Sequence, residues 1–259
     1  MRIETNEDLV KRNRRIATYL FFFSLFVLGF GFLAANGAFL NTVDESTGQQ
    51  LYLLIMPVVL IVGMLSTLVS VRMTNLWVRQ PRPEDSIQLG LKGISTKSVL
   101  YNYLHMPARH ILISPQGVFA IITRYQEGKF AVDGGTWTTH RSPLSRVFSI
   151  FRMDGIGDPT TEAKAAAKHV QDIMDEIGIE VDVEPLILFI DPRSTLEITN
   201  PEVPVLFAMD KVTLGKKEVT LKPNLKQYLK GFNKDDYQTL TDEEIEKFEN
   251  ATIEFEIES

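Results

Sequence analysis

Cysteine is absent from the 259 residues, which excludes disulfides, thiolate metal ligands and cysteine nucleophiles. Histidine is scarce, with four residues in all. His105 and His110 lack helical or other ligand-like spacing, so they are expected to pack or sit at the surface rather than bind metal. Charge is missing from two long stretches: neither 17–40 nor 51–71 holds an Asp, Glu, Lys, Arg or His. At about 1.5 Å per helical residue, these runs reach roughly 36 and 32 Å, against a hydrocarbon core of about 30 Å. The polar face of a surface helix is lacking too. Together these absences predict a transmembrane hairpin, its helices joined by a short external loop, 41–50.

The flanks give the orientation. Lys11, Arg12, Arg14 and Arg15 precede the first run, and Arg72, Arg79 and Arg82 follow the second. The loop between has no Lys or Arg and carries Asp44 and Glu45. Basic residues stay on the cytoplasmic side, so both termini are expected in the cytoplasm of a bacterial plasma membrane. A cleaved signal peptide is the competing reading, but the first run is long for it and Asn36 is a poor cleavage context. Even then, 51–71 would act as a stop-transfer span and leave the remainder of the chain inside.

The overall charge of −6 is unevenly spread. Residues 235–259 hold ten acids and one Lys, whereas 73–234 hold eighteen acids and twenty bases. The soluble part is thus nearly neutral, without the basic stripe of a nucleic-acid binder. Its acidity belongs to a C-terminal segment, expected to be regulatory or partner-binding. The Lys11–Arg15 cluster reads as a topology signal near anionic lipid.

Pro81-Arg82-Pro83 ends a linker, 72–83, because proline lacks an amide donor and restricts its predecessor. Beyond it, 84–93 is weakly helical, with Gly90 and Gly93 against it, and 99–104 is β-prone. A hairpin is expected over 110–113 and 118–123, with Pro115 and Gly117 suited to its turn. A second is expected over 129–132 and 136–139, around Asp133-Gly134-Gly135. A long helix comes next, capped by Asp158 with Pro159 in its first turn. Ala163, Ala166, Ala167, Val170, Ile173, Met174 and Ile177 mark its buried face, and Gly178 ends it. Gly155-Ile156-Gly157 before this helix could suggest a phosphate cradle, but Asp158 puts negative charge where the anion would sit. Residues 186–190 read as a strand covered on both faces, 203–209 as another, and 221–232 and 243–248 as helices. The order implies a mixed α/β layer domain.

The stretch Ala108-Arg109-His110-Ile111-Leu112-Ile113-Ser114-Pro115-Gln116-Gly117-Val118-Phe119-Ala120-Ile121-Ile122-Thr123-Arg124, with Gly128-Lys129-Phe130 and Trp137, resembles the core of the nuclease-related domain, NERD. The resemblance is specific over 108–137 and weaker from 85 to 191. It implies a restriction-endonuclease-like fold over 84–234, with a central hairpin followed by a helix and another strand. In that family an acid at the start of one strand and a Glu-x-Lys on the next hold a divalent metal, which activates water against a phosphodiester. Carried over residue by residue, the acid falls on Arg109, the Glu on Ile122 and the Lys on Arg124, while His110 matches the family histidine. Hard cations need oxygen ligands. A guanidinium and an apolar side chain in place of two carboxylates imply a catalytically dead centre with no metal and no cofactor.

Arg109, His110 and Arg124 have two readings. They form a small anion- or nucleic-acid-binding face, since Arg offers a forked donor set, or they are strand-end residues paired with carboxylates or exposed to solvent. Trp137 is expected to pack rather than stack on a base. The expectation is a membrane-anchored cytoplasmic nuclease-like domain that works as an interaction or assembly module, with the lipid bilayer and a protein at the membrane face as partners. One alternative is a membrane-tethered nucleic-acid binder. The other is an active metal-dependent nuclease whose carboxylates, Glu127 or Asp133, have moved into the site.

Overall fold

A computed structural model describes residues 1–35, 45–94, 96–140, 155–215, 217–232 and 240–258. Of the expected loop 41–50, residues 41–44 lie outside the described residues, as do the end of the first apolar run and the start of the acidic segment, while 45–50 are helical and continuous with the second apolar run. The chain divides into two compact units, one built on Asp8–Gln80 and the other on Met1–Glu7, Pro81–Ser142 and Ile156–Ser259.

The first unit holds α1 (Glu7–Ala35) and α2 (Glu45–Trp77). Both are long and apolar enough to cross a membrane. Their large side chains face outward: Phe26 is 70% and Leu54 72% exposed, so little protein covers them. Both helices extend past the apolar runs into the basic flanks, because Lys and Arg are good helix formers and the backbone ladder simply continues. The stretch read as a linker from 72 is therefore helical to Trp77. The helices pack antiparallel through small residues. A Cβ on Gly31 would come within 3.1 Å of Val59 Cγ1, and one on Gly63 within 3.4 Å of Val27 Cγ1. At the basic end, Arg14 Nε donates to the Trp77 carbonyl at 3.2 Å.

The second unit is a layered α/β domain. Its elements are β1 (Arg2–Thr5), α3 (Pro83–Gly90), β2 (Val99–His105), β3 (Ala108–Ser114), β4 (Gly117–Arg124), β5 (Lys129–Asp133), β6 (Thr136–His140) and α4 (Pro159–Glu176). Then come β7 (Val183–Phe189), β8 (Thr195–Thr199), β9 (Val205–Phe207), β10 (Lys211–Leu214), β11 (Lys217–Thr220), α5 (Leu225–Lys230) and α6 (Asp242–Glu258). The main sheet runs β1-β2-β3-β4-β7-β9. β2, β3 and β4 are antiparallel, whereas β7 lies parallel to β4, and β9 parallel to β7. A smaller sheet, β6-β5-β8, carries the expected second hairpin, turned through Gly134 at φ 57°.

The apolar strands are continuous because both faces are covered. Ile111, Ile113, Val118, Ala120, Ile122, Ile187 and Phe189 meet the buried stripe of α4. Leu112, Phe119, Ile121, Leu186 and Leu188 meet Ile87 of α3 and Leu225 and Leu229 of α5. α4 is capped as its sequence requires, with Asp158 accepting from the Thr161 amide at 3.1 Å and Gly178 leaving at φ 68°. Gly90, weak on propensity, is required by contact: a Cβ there would fall 1.8 Å from the Ala208 carbonyl oxygen.

Four features depart from expectation. The strand over 203–209 is confined to Val205–Phe207, and the helix over 221–232 to Leu225–Lys230, since Leu221 bonds back to Asp210 and Asn224 caps the helix. β8 and the β10–β11 hairpin carry too little apolar character to announce themselves. The N-terminal residues form β1, which pairs in parallel with β2 from Arg2↔Val99 to Thr5↔Asn102. Finally, α6 begins where the helix over 243–248 is expected, on a capping box in which Thr241 and Glu244 bond reciprocally, but it runs on to Glu258. Its Phe248 is fully buried against Tyr101 and His105. Glu249 accepts from the Tyr101 hydroxyl at 2.5 Å and from Arg2, latching the acidic helix to β1 and β2. Burial first, and then Glu249, raise the Tyr101 phenol's pKa.

Phe248→Ala is expected to cost about 3–5 kcal/mol, as for a large aromatic removed from a core. A free tail would show changes within about 0.5 kcal/mol. Hydrogen exchange of the β2 amides in the full chain decides between them.

Candidate functional site

The site suggested by the sequence lies on the β3–β4 hairpin. Ser114↔Gly117 closes a two-residue Pro115-Gln116 turn, and the register runs back to His110↔Ile121. One step further stand Arg109 and Ile122, with Arg124 two residues beyond. Alternate strand residues share a face. The three positions given to the acid, the Glu and the Lys therefore lie together, on the face that meets α4.

Arg124 is buried, with its donors directed inward. Its Nε donates to the Ile156 carbonyl at 3.2 Å and its Nη1 to the Thr123 carbonyl at 3.1 Å. Nη2 lies 2.8 Å from Glu162 Oε2, an ion pair set off the hydrogen-bond line. The guanidinium thus ties the end of β4 to the loop before α4 and to the first turn of that helix. At the same helix end, Asp158 has a lowered carboxyl pKa, chiefly through the Thr161 hydroxyl and amide. The Gly155-Ile156-Gly157 stretch therefore presents a carboxylate and a used carbonyl, not a phosphate cradle.

His110 is fully buried. Its Nδ1 lies 2.8 Å from Asn102 Oδ1, and Asn102 Nδ2 donates to Thr5 Oγ1 at 3.1 Å, which assigns the imidazole proton to Nδ1. Nε2 then has no hydrogen-bond partner. Tyr103, at φ 62° beside a bulge in β2, sets its ring edge-on to His110 at 4.9 Å and donates to Glu84 at 3.0 Å. Arg109 is half-buried. An anion-binding face made by Arg109, His110 and Arg124 together is not what this arrangement presents. One member is sealed, and another is occupied by two carbonyls and a carboxylate.

The carboxylates considered for relocation lie elsewhere. Glu127 pairs with Arg193 at 2.7 Å, while Asp133 ends β5 in the smaller sheet. Asp191, which sequence reasoning passed over, is buried just after β7 and grips Arg193 through both oxygens at 2.9 and 2.7 Å. Its signal was the acid closing the apolar run 186–190, followed by Pro192-Arg193. Among the described residues, no three His, Asp or Glu side chains gather in a way that would hold a metal. Trp137 is packed, its Nε1 donating to Thr160 at 2.8 Å and its ring stacked on Phe189.

Burial, with Arg109's charge behind it, pushes His110 down to about 3; burial, with His169 behind it, pushes His105 down to about 4. An unfolded histidine titrates near 6.5. Below that pH the unfolded chain takes up protons that the folded chain refuses. This contribution to stability is therefore complete above about pH 6.5 and falls toward pH 4, at up to roughly 1.4 kcal/mol per unit for each imidazole. Denaturant unfolding at a series of pH values should show that slope, and His110→Gln should remove about half of it.

No family model, no curated protein and no solved structure matches this chain.

Proposed function

We propose that the chain is a membrane-anchored, nuclease-like domain without nuclease chemistry, acting as an interaction or assembly module on the cytoplasmic face of a bacterial plasma membrane. The observation that carries this reading is the shared face of Arg109, Ile122 and Arg124. These are the positions that the NERD resemblance gives to metal-binding groups, and Arg124 is spent there on internal contacts. The order of helix, three antiparallel strands, helix and parallel strand supports the restriction-endonuclease-like assignment.

The anchor is supported by α1 and α2, and by the path of the chain. β1 precedes α1, yet it pairs with β2, which comes after α2. A chain that crosses a bilayer twice between those strands has both on one side. The basic flanks make that side cytoplasmic. The same pairing makes β1 part of the domain, so a fragment starting after α2 lacks an edge strand.

The full chain in lipid nanodiscs, incubated with DNA and Mg²⁺ or Mn²⁺, is expected to leave the DNA uncut. Metal-dependent cleavage abolished by Glu127→Gln or Asp133→Asn would overturn this. Salt-sensitive DNA binding lost on Arg109→Gln would instead favour the nucleic-acid tether, since phosphate contacts weaken as salt rises.

A further inference from the structure

We infer that the basic end of the α1–α2 hairpin is a binding site for anionic phospholipid, with Arg12, Arg15 and Arg72 holding headgroup phosphates. The inference rests on the reading of α1 and α2 as bilayer-spanning. Three contacts fix how the helices are aligned: Gly31 with Val59, Val27 with Gly63, and Arg14 with Trp77. In that alignment Arg12 stands level with Arg79, and Arg15 and Arg72 lie one helical turn apart on facing helices. Only Ile16 separates Arg15 from the first apolar run, and Arg72 directly follows Val71, where the second run ends. Two guanidiniums from different helices thus flank the apolar boundary at the depth of a headgroup.

Arg12, Arg15 and Arg72 are exposed and form no ion pair among the described residues. The acids of this end, Glu7 and Asp8, lie two turns further from the apolar boundary than Arg15 does. No Lys or Arg occurs between Ile16 and Val71, so all the Lys and Arg of α1 and α2 collect at one end of the hairpin. A guanidinium fork suits a phosphate, gripping two oxygens at once. Trp77, whose carbonyl receives Arg14, is an amphipathic ring of the kind favoured at headgroup level.

Trp77 also reports on the site, because the chain's other tryptophan, Trp137, can be replaced. The test uses full-length Trp137→Phe protein in phosphatidylcholine vesicles containing phosphatidylglycerol. Either one lipid or the other carries brominated chains, at matched mole fraction. Bromines on phosphatidylglycerol should quench Trp77 as if that lipid were enriched about fivefold or more, the effect of one basic residue near an anionic surface. Arg12→Gln/Arg15→Gln/Arg72→Gln should abolish the preference, and the corresponding triple lysine variant should keep part of it. Equal quenching by both lipids would overturn the site while leaving bilayer insertion intact. Quenching by neither would overturn the anchor itself, and the site with it.

Discussion

The pairing of β1 with β2 is the constraint on which the rest of the molecule hangs. Four residues at the start of the chain complete a sheet whose other strands begin near residue 99, and two long apolar helices intervene. The strand is held by backbone bonds, by Thr5 through Asn102 to His110, and by Arg2 through Glu249 and Tyr101. Through those side chains one short strand ties together a buried polar network, the edge of the main sheet and the acidic helix. Anything that frees β1 therefore exposes an open sheet edge, which proteins ordinarily keep covered or charged.

Within the domain, polar groups are used sparingly and almost wholly to join elements. Arg124 does not face solvent in search of a ligand. It donates to the Thr123 and Ile156 carbonyls and so joins the end of β4 to the loop before α4, which a lysine's point charge would do less well. Asp191 and Arg193 do the same after β7, and Trp137 spans the smaller sheet and α4 through one hydrogen bond. The face that Ile122 and Arg124 share is backed by α4.

Much of the fold was legible in the sequence because local chemistry and tertiary packing agree. The Pro115-Gln116 turn, the Asp158 cap, the alanine stripe of α4 and the uninterrupted run 186–190 each read correctly. β1 was illegible because Arg2-Ile3-Glu4-Thr5 is too short and too polar to signal a strand; its partner is what makes it one. The extent of the acidic segment misled for a related reason. Charge dominates its composition, but Ile245 and Phe248 at helical spacing are what dock it. Of the candidate site, the positions were readable and the burial was not. Nothing in the sequence says that His110 is sealed while Arg109 is half-open.

The β1–β2 pairing also sets an order of assembly. β1 leaves the ribosome well before its partner, which follows only after some hundred further residues, including both apolar helices, have been made. Through that interval its backbone amides are satisfied by water alone. This edge of the sheet thus cannot close when its strand is made, but only once the hairpin has brought the chain back. Any disturbance of the helices would then be felt as a missing strand in a domain that contains neither of them.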